Sequence, residues 1–354
     1  MNIYRTVKGV SNTRYSDKLH FPCPKISFQE QTPQDGQRGT SPFEGTLCSR
    51  PLMVICETVN ICCNNCIICP YGTMTRKKEV MSLEIFEKLL KEYSAMGGGK
   101  LSLTPKMGDI FFDPLLLKRL DLIRKYPKIT GISVTTNAIV SDRFTDRELK
   151  EIISSFQRVH ISVYGLDPEE YALMTRRDTY QRMIDNIRRI IAVSPRSCTL
   201  ALGFRLLHER SPAEIDAWIL KNFRMKMPYD FTSTFMDWGG TLDATQPLPL
   251  NGKWRPARVT ASQCIMPLIA CLVFSSGDVS FCSCNDHDIK EEFRLGNIGK
   301  KSLTEIINSP KNAKLWESSL NPPRSCKFCS SHRPIRNLEY YEDLFEDPQK
   351  FIGG

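Results

Sequence analysis

The chain has 354 residues, 41% of them hydrophobic and 25% charged, which excludes a disordered or fibrous chain and is enough for one large domain plus a smaller one without covalent staples. No apolar run nears the ~18 residues of a membrane span and the N-terminus offers no apolar stretch for a signal peptide, so the expected compartment is the cytoplasm, with no membrane partner. The formal charge of +9 suits an anionic small-molecule substrate or an acidic electron-donor protein as well as a lysine-rich solvated surface, and no aromatic-interleaved basic stripe argues for nucleic acid.

Residues 1–50 are polar and proline-punctuated and read as an extension, not a domain. LMVICE (52–57) is an apolar run of strand length. Ser82 caps a helix with Phe86, Leu89 and Leu90 on its apolar face. Strands then follow at 100–105, 131–136, 159–165, 199–207 and 230–236. Helices lie between them at 113–126, 145–156, 180–193 and 213–222. Six strand–helix units in order predict an α/β fold, a parallel sheet curling into a partial (β/α)6 TIM-like barrel over residues 51–245. Chemistry is then expected at the carboxyl ends of the strands. The turn-rich stretch 246–260 reads as a linker. A small cysteine-rich domain is expected at 261–335, with a short helix at 302–309, and an acidic, aromatic tail at 336–354.

Fourteen cysteines in a reducing compartment point to metal or redox chemistry, not disulfides. Cys62, Cys66 and Cys69 have the spacing C-x3-C-x2-C on the loop after the first strand. Thiolates ligate iron well, and four normally hold a cubane, so three leave one iron open for a ligand. A zinc knuckle is the rival reading, but it needs a fourth ligand. Downstream, Cys264, Cys282, Cys326 and Cys329 supply four separated thiolates, enough to close a cluster or a zinc ribbon, although ribbons prefer two C-x2-C pairs. Cys271 and Cys284 do not fit that closure and read as buried thiols, cluster-side residues, support for a further cluster or a hydrogen donor. Cys23, Cys48, Cys56, Cys63 and Cys198 read as small core residues.

CCNNCIICPYG after the first strand resembles the signature of the radical S-adenosylmethionine enzymes. The likeness covers roughly residues 52–335. It implies a [4Fe-4S] cluster and S-adenosylmethionine as cofactors and a flavodoxin- or ferredoxin-like electron donor as partner. In MGDIFFDP (107–114), Gly108 and Asp109 stand where the family's Gly-Glu-Pro region binds the methionine amino group, with a shorter carboxylate here. TTNA (135–138) is similar to the family's Thr-Asn-Gly segment, which places Thr136 and Asn137 near the ribose. By the same resemblance Ser162 and Arg176 contact the methionine carboxylate. Ile68 replaces the aromatic residue usual before the third cysteine. The later cysteines resemble the twitch form of the SPASM domain, which implies an auxiliary [4Fe-4S] cluster. DWGG (237–240) is similar to the barrel exit of the 2-deoxy-scyllo-inosamine dehydrogenase type.

Each secondary residue also has a plain structural reading. Asp109 suits a helix cap, Ser162 a small core residue and Arg176 a surface cation. Arg205 interrupts an apolar strand, so it is expected to face the lumen and a partner. Two clusters imply two electron transfers. Loss of a hydrogen atom, a proton and an electron oxidises an alcohol carbon to a ketone, so the expected function is a dehydrogenase acting on a sugar or aminocyclitol. Asp237, Tyr164 and Arg205 are the expected substrate-lining residues. The rivals are an epimerase returning hydrogen from Cys271 or Cys284, a peptide maturase, and a zinc-stabilised binding protein without catalysis.

Overall fold

The computed structural model describes residues 51–257, 264–317 and 322–333. The expected extension and tail, with Cys23 and Cys48, lie outside those residues.

Six strands pair side by side in parallel, in chain order. They are β1 (Met53–Cys56), β2 (Gly99–Ser102), β3 (Ile129–Thr136), β4 (Arg158–Val163), β5 (Thr199–Arg205) and β6 (Tyr229–Thr232). The crossovers carry α1 (Leu83–Ala95), α2 (Leu116–Arg124), α3 (Asp146–Ser154), the pair α4 (Pro168–Thr175) and α5 (Tyr180–Val193), and α6 (Pro212–Phe223). This is the mixed α/β partial barrel that the strand–helix alternation predicts. The pleat sorts the side chains. On β4, Val159, Ile161 and Val163 join the main apolar core, whereas His160 and Ser162 alternate with them on the other face.

The helix starts obey local chemistry. The Ser82 hydroxyl accepts from the Ile85 amide, and α3 and α6 open on capping boxes built by Thr145 with Glu148 and Ser211 with Glu214.

Three departures from the sequence expectation have local causes. β2 stops at Ser102, because the Thr104 hydroxyl accepts the Thr135 amide at 2.8 Å and takes over from the backbone ladder. The expected sixth strand breaks at Ser233. Its second half becomes β7 (Thr234–Phe235), paired in parallel with β8 (Lys253–Trp254) from the expected linker. The third departure concerns the cysteine-rich segment. After α7 (Met266–Ile269), β9 (Ala270–Val273) pairs in parallel with the free edge of β1, Met53 opposite Ala270 and Cys56 opposite Val273. β10 (Asp278–Ser280) and β11 (Arg294–Asn297) extend it antiparallel, so one nine-stranded sheet runs through barrel and cysteine-rich segment alike. Among the described residues no helix is long and apolar enough to cross a membrane.

Glu57, one residue past β1, is fully buried. Arg76 grips both of its oxygens, with Nη2 at 2.7 Å from Oε2. The Met107 amide donates to Oε2 at 2.9 Å and the Ser275 hydroxyl to Oε1 at 3.1 Å. Removing one partner of a buried pair strands the other charge, which costs about 3–5 kcal/mol. Glu57→Ala is therefore expected to lower unfolding stability by about that much in chemical denaturation, with Glu57→Gln between the variant and the native protein.

Candidate functional site

The first cysteine loop leaves β1 and docks on the last turn of α4. The Asn65 amide donates to the Thr175 carbonyl at 3.1 Å and the Ile67 amide to the Met174 carbonyl at 2.9 Å. Arg176 ends α4 in the left-handed region, φ 56°, and Arg177 Nε donates to the Cys63 carbonyl at 2.8 Å. A Cys69 amide to Cys66 carbonyl bond of 3.0 Å tightens the C-x2-C step. Burial pushes Cys66 well up and Cys69 up to about 11. The neighbouring thiols of Cys62 and Cys63 shift each other, Cys62 upward and Cys63 downward.

Tyr164 lies just past β4. Burial drives its hydroxyl well above the usual range, and Cys66, Cys69 and Cys62 all add to the shift while Ser162 bonds it and opposes. Asn137 Nδ2 lies 3.6 Å from Cys62 Sγ. Three thiols on one short loop suit a cluster held by three cysteines, with one iron left for another ligand.

Gly108 and Asp109 press against the entry to this loop. Gly108 has φ +137°, and a Cβ there would lie 2.8 Å from the Val59 carbonyl oxygen, so only glycine fits. The Asp109 amide donates to the Ile61 carbonyl at 2.9 Å. Its buried carboxylate accepts from the Thr136 hydroxyl and the Asn137 amide, both at 2.7 Å, and from the Phe111 amide at 3.1 Å. Burial raises its pKa, and those bonds oppose. Asp109, Thr136 and Asn137 thus form one knot at the carboxyl ends of β2 and β3, in which Asp109 caps the turn Ile110–Phe112.

Arg205 Nη1 donates to Asp230 Oδ1 at 2.9 Å, and His160 Nε2 lies 2.7 Å from Asp230 Oδ2. Burial alone would raise Asp230, but the His160 bond and the Arg205 charge outweigh it and hold the carboxyl at about 2. Asp237 accepts from the Gly239 and Gly240 amides at 3.2 and 3.1 Å, and the Ser330 hydroxyl lies 3.5 Å from it, beside Cys329. Tyr164 therefore stands at the first thiol set, Arg205 in an ion pair on the strand ends, and Asp237 in a turn against the second set.

Cys264, Cys282, Cys326 and Cys329 line one cavity, with Cys284 as a fifth thiol. Burial pushes Cys264 up to about 12 and Cys282 up to about 11, and Cys326 and Cys329 upward as well. Asn285 serves two sulfurs: its amide donates to Cys282 Sγ at 3.3 Å and its Nδ2 to Cys329 Sγ at 2.6 Å. N–H donors aimed at sulfur suit thiolate ligands of a cluster. Among the described residues no three His, Cys, Asp or Glu side chains gather as ligands of a single metal ion. Cys271 sits in β9, inside the main core, where burial pushes it up to about 12.

Sequence reasoning missed Asn285, Glu57, Lys106 and Trp238. Only Trp238 carried a signal, the glycine pair that follows it.

The family model described as the Radical SAM superfamily matches residues 56–219, and that for the SPASM iron–sulfur cluster-binding domain matches 264–330. The chain is 23% identical over 218 residues to a GTP 3',8-cyclase of Chlorobaculum tepidum, a match covering 62% of this chain and 60% of that relative's length. Among solved structures, BtrN in complex with AdoMet and 2-DOIA superposes with a TM-score of 0.50 at 17% identity, over 79% of this chain and 92% of BtrN. Native anSMEcpe with bound AdoMet gives 0.51 at 15% identity, over 84% of this chain and 96% of the other. At these identities the superpositions show a shared fold.

Two outcomes follow from the site. Anaerobic reconstitution is expected to load about eight irons per chain, four per cubane. Changing Cys62, Cys66 and Cys69 together to Ala should halve that in an iron assay, whereas stoichiometric zinc without iron at either set would contradict the assignment. The second concerns acid. A carboxyl held below its usual ~3.9 stabilises the fold above that pH and loses the contribution as pH falls toward its folded value. Asp230→Asn should thus lower the unfolding midpoint at pH ~6, and the two proteins should converge as pH approaches about 2.

Proposed function

Because the chain belongs to the radical SAM superfamily and carries a SPASM iron–sulfur domain, we propose that it oxidises an alcohol carbon of a sugar or aminocyclitol, with S-adenosylmethionine as radical source. The observation that carries this reading is the second cavity: four thiols in one place close a cubane completely, which suits an electron acceptor and not a substrate-binding iron. Cys62, Cys66 and Cys69 would hold a cluster that, with S-adenosylmethionine, would supply the radical chemistry that removes a hydrogen atom, while Cys264, Cys282, Cys326 and Cys329 would hold one able to take up the remaining electron, the proton passing to solvent.

The chain's own share is positioning. The knot of Asp109, Thr136 and Asn137 holds the ends of β2 and β3 where the resemblance places the cofactor's methionine and ribose. Ser162 and Tyr164 form the neighbouring wall, and burial keeps the Tyr164 hydroxyl protonated as a donor. Arg176 is fixed at the end of α4, the turn on which the first cysteine loop docks. Arg205 and Asp237 would shape the substrate end, the first oriented by Asp230 and the second by the turn it closes.

Cys284 gives the epimerase reading its one structural support, since it faces the second cavity as a thiol beyond the four needed. Product mass separates the two. A dehydrogenase product should be two mass units lighter than substrate, with one S-adenosylmethionine consumed per turnover, and Cys284→Ala should retain turnover. An epimerase product would keep its mass in ordinary water and gain one deuterium in heavy water, lost in Cys284→Ala. Unchanged mass without deuterium would point instead to a cyclisation or rearrangement.

A further inference from the structure

Between the two cysteine loops stand a lysine and a tryptophan that the reading above leaves unused. Lys106, past the end of β2, donates from Nζ to the carbonyl oxygens of Ser283, at 3.1 Å, and Cys284. The same ammonium lies 4.7 Å from the centre of the Trp238 ring, within the range of a cation–π contact. Trp238 Nε1 in turn donates at 2.9 Å to the carbonyl of Ile68, the residue before Cys69. His287 meets the indole edge-on, with 6.1 Å between ring centres. One lysine and one indole therefore connect the loop of the first thiol set to the loop of the second.

The backbone shows that this placement is enforced. Trp238 has φ +57°, in the left-handed region, where a bulky residue is an outlier costing on the order of 1–3 kcal/mol. Asp237 holds the turn by accepting from the Gly239 and Gly240 amides, and a Cβ on Gly239 would come within 3.0 Å of the Ser325 carbonyl. Strain of that kind persists only where the surroundings over-determine it. Here they hold the indole under an ammonium.

The contacts reach both thiol loops: the ammonium holds the carbonyls of the two residues that follow Cys282, and the indole it faces holds the carbonyl of the residue before Cys69. Adding an electron makes a cluster more negative, so a fixed cation beside it favours the reduced form, and the more so where the indole displaces screening water.

We propose that Lys106, clamped between Trp238 and the carbonyls of Ser283 and Cys284, is a positioning residue that raises the reduction potential of both clusters together. The inference rests on the two-cluster reading and extends it: a shared cation couples donor and acceptor, so that their potentials move as a pair.

The test is a redox titration of the reconstituted full chain, each cluster followed by electron paramagnetic resonance. Lys106→Met keeps the stem and removes the charge. It should make reduction about tenfold less favourable at both clusters, a fall of about 59 mV for a one-electron couple, with Lys106→Arg restoring both. Should Lys106→Met fail to retain iron, Trp238→Leu, which leaves the ammonium in place but opens it to water, should lower both potentials by a smaller amount. Unmoved potentials in an iron-replete variant, or a shift at one cluster alone, would overturn the proposal while leaving the dehydrogenase reading intact. About four irons in the native chain would overturn both.

Discussion

Everything at the mouth of the barrel depends on the carboxylate of Glu57. It sits at the end of β1 with no water to solvate it, so its lone pairs dictate which segments come together. Arg76 comes from the stretch beyond the first thiols, Met107 from the end of β2, and Ser275 from the turn between β9 and β10. Arg76 then reaches on to the His287 carbonyl at 2.9 Å, and Asp288 accepts the Thr75 and Arg76 amides at 3.0 Å. Against a well-packed apolar substitute, a buried ion pair is often neutral or worse in stability. What it supplies here is specificity: only one arrangement of those segments satisfies every donor. The juxtaposition of the two cysteine loops is a result of that arrangement.

The barrel contributes a division of labour between its two faces. Apolar side chains of β4 and β5 pack outward under the helices, and the polar positions of β2, β3 and β4 supply Ser102, Ser133, His160 and Ser162, all buried. Polar groups in such a place need partners. His160 finds Asp230, and Gly203 is the reason it can: a Cβ at Gly203 would fall 2.1 Å from the imidazole. The lumen is thus a hydrogen-bonded floor beneath a sulfur-rich rim. The rim itself is asymmetric, with the loop of Cys62, Cys66 and Cys69 after β1 and five thiols around the second cavity.

Much of this was legible in the chain itself, for reasons that can be named. The strand–helix rhythm survives because each element carries its own period and its own caps; α5 begins and ends where its apolar spacing does. That Cys264, Cys282, Cys326 and Cys329 come together was legible from their number and spacing, and the fold lines one cavity with all four. The limits are equally physical. α4 went unseparated because its apolar residues are spread around the helix, and only Asp167 and Pro168 mark its start. Asp109 read as a cofactor contact or a cap, and its oxygens are in fact taken up by Thr136, Asn137 and Phe111. Asn285 and Lys106 had no local signature at all. Cys329, which the Asn285 side chain reaches, lies 44 residues away and Cys284 lies 178 residues from Lys106, and long-range pairs of that kind leave no trace in periodicity.

The parallel pairing of β9 with β1 carries a consequence for how the molecule can be cut. β1 is buried along its whole length, from Met53 to Cys56, and β9 supplies the ladder on one of its sides. A chain shortened to end after β8 would bare that flank as a row of unpaired amides and carbonyls among aliphatic side chains, the template on which strands of different molecules add to one another. The sulfur-rich segment is thus also the barrel's guard against self-association.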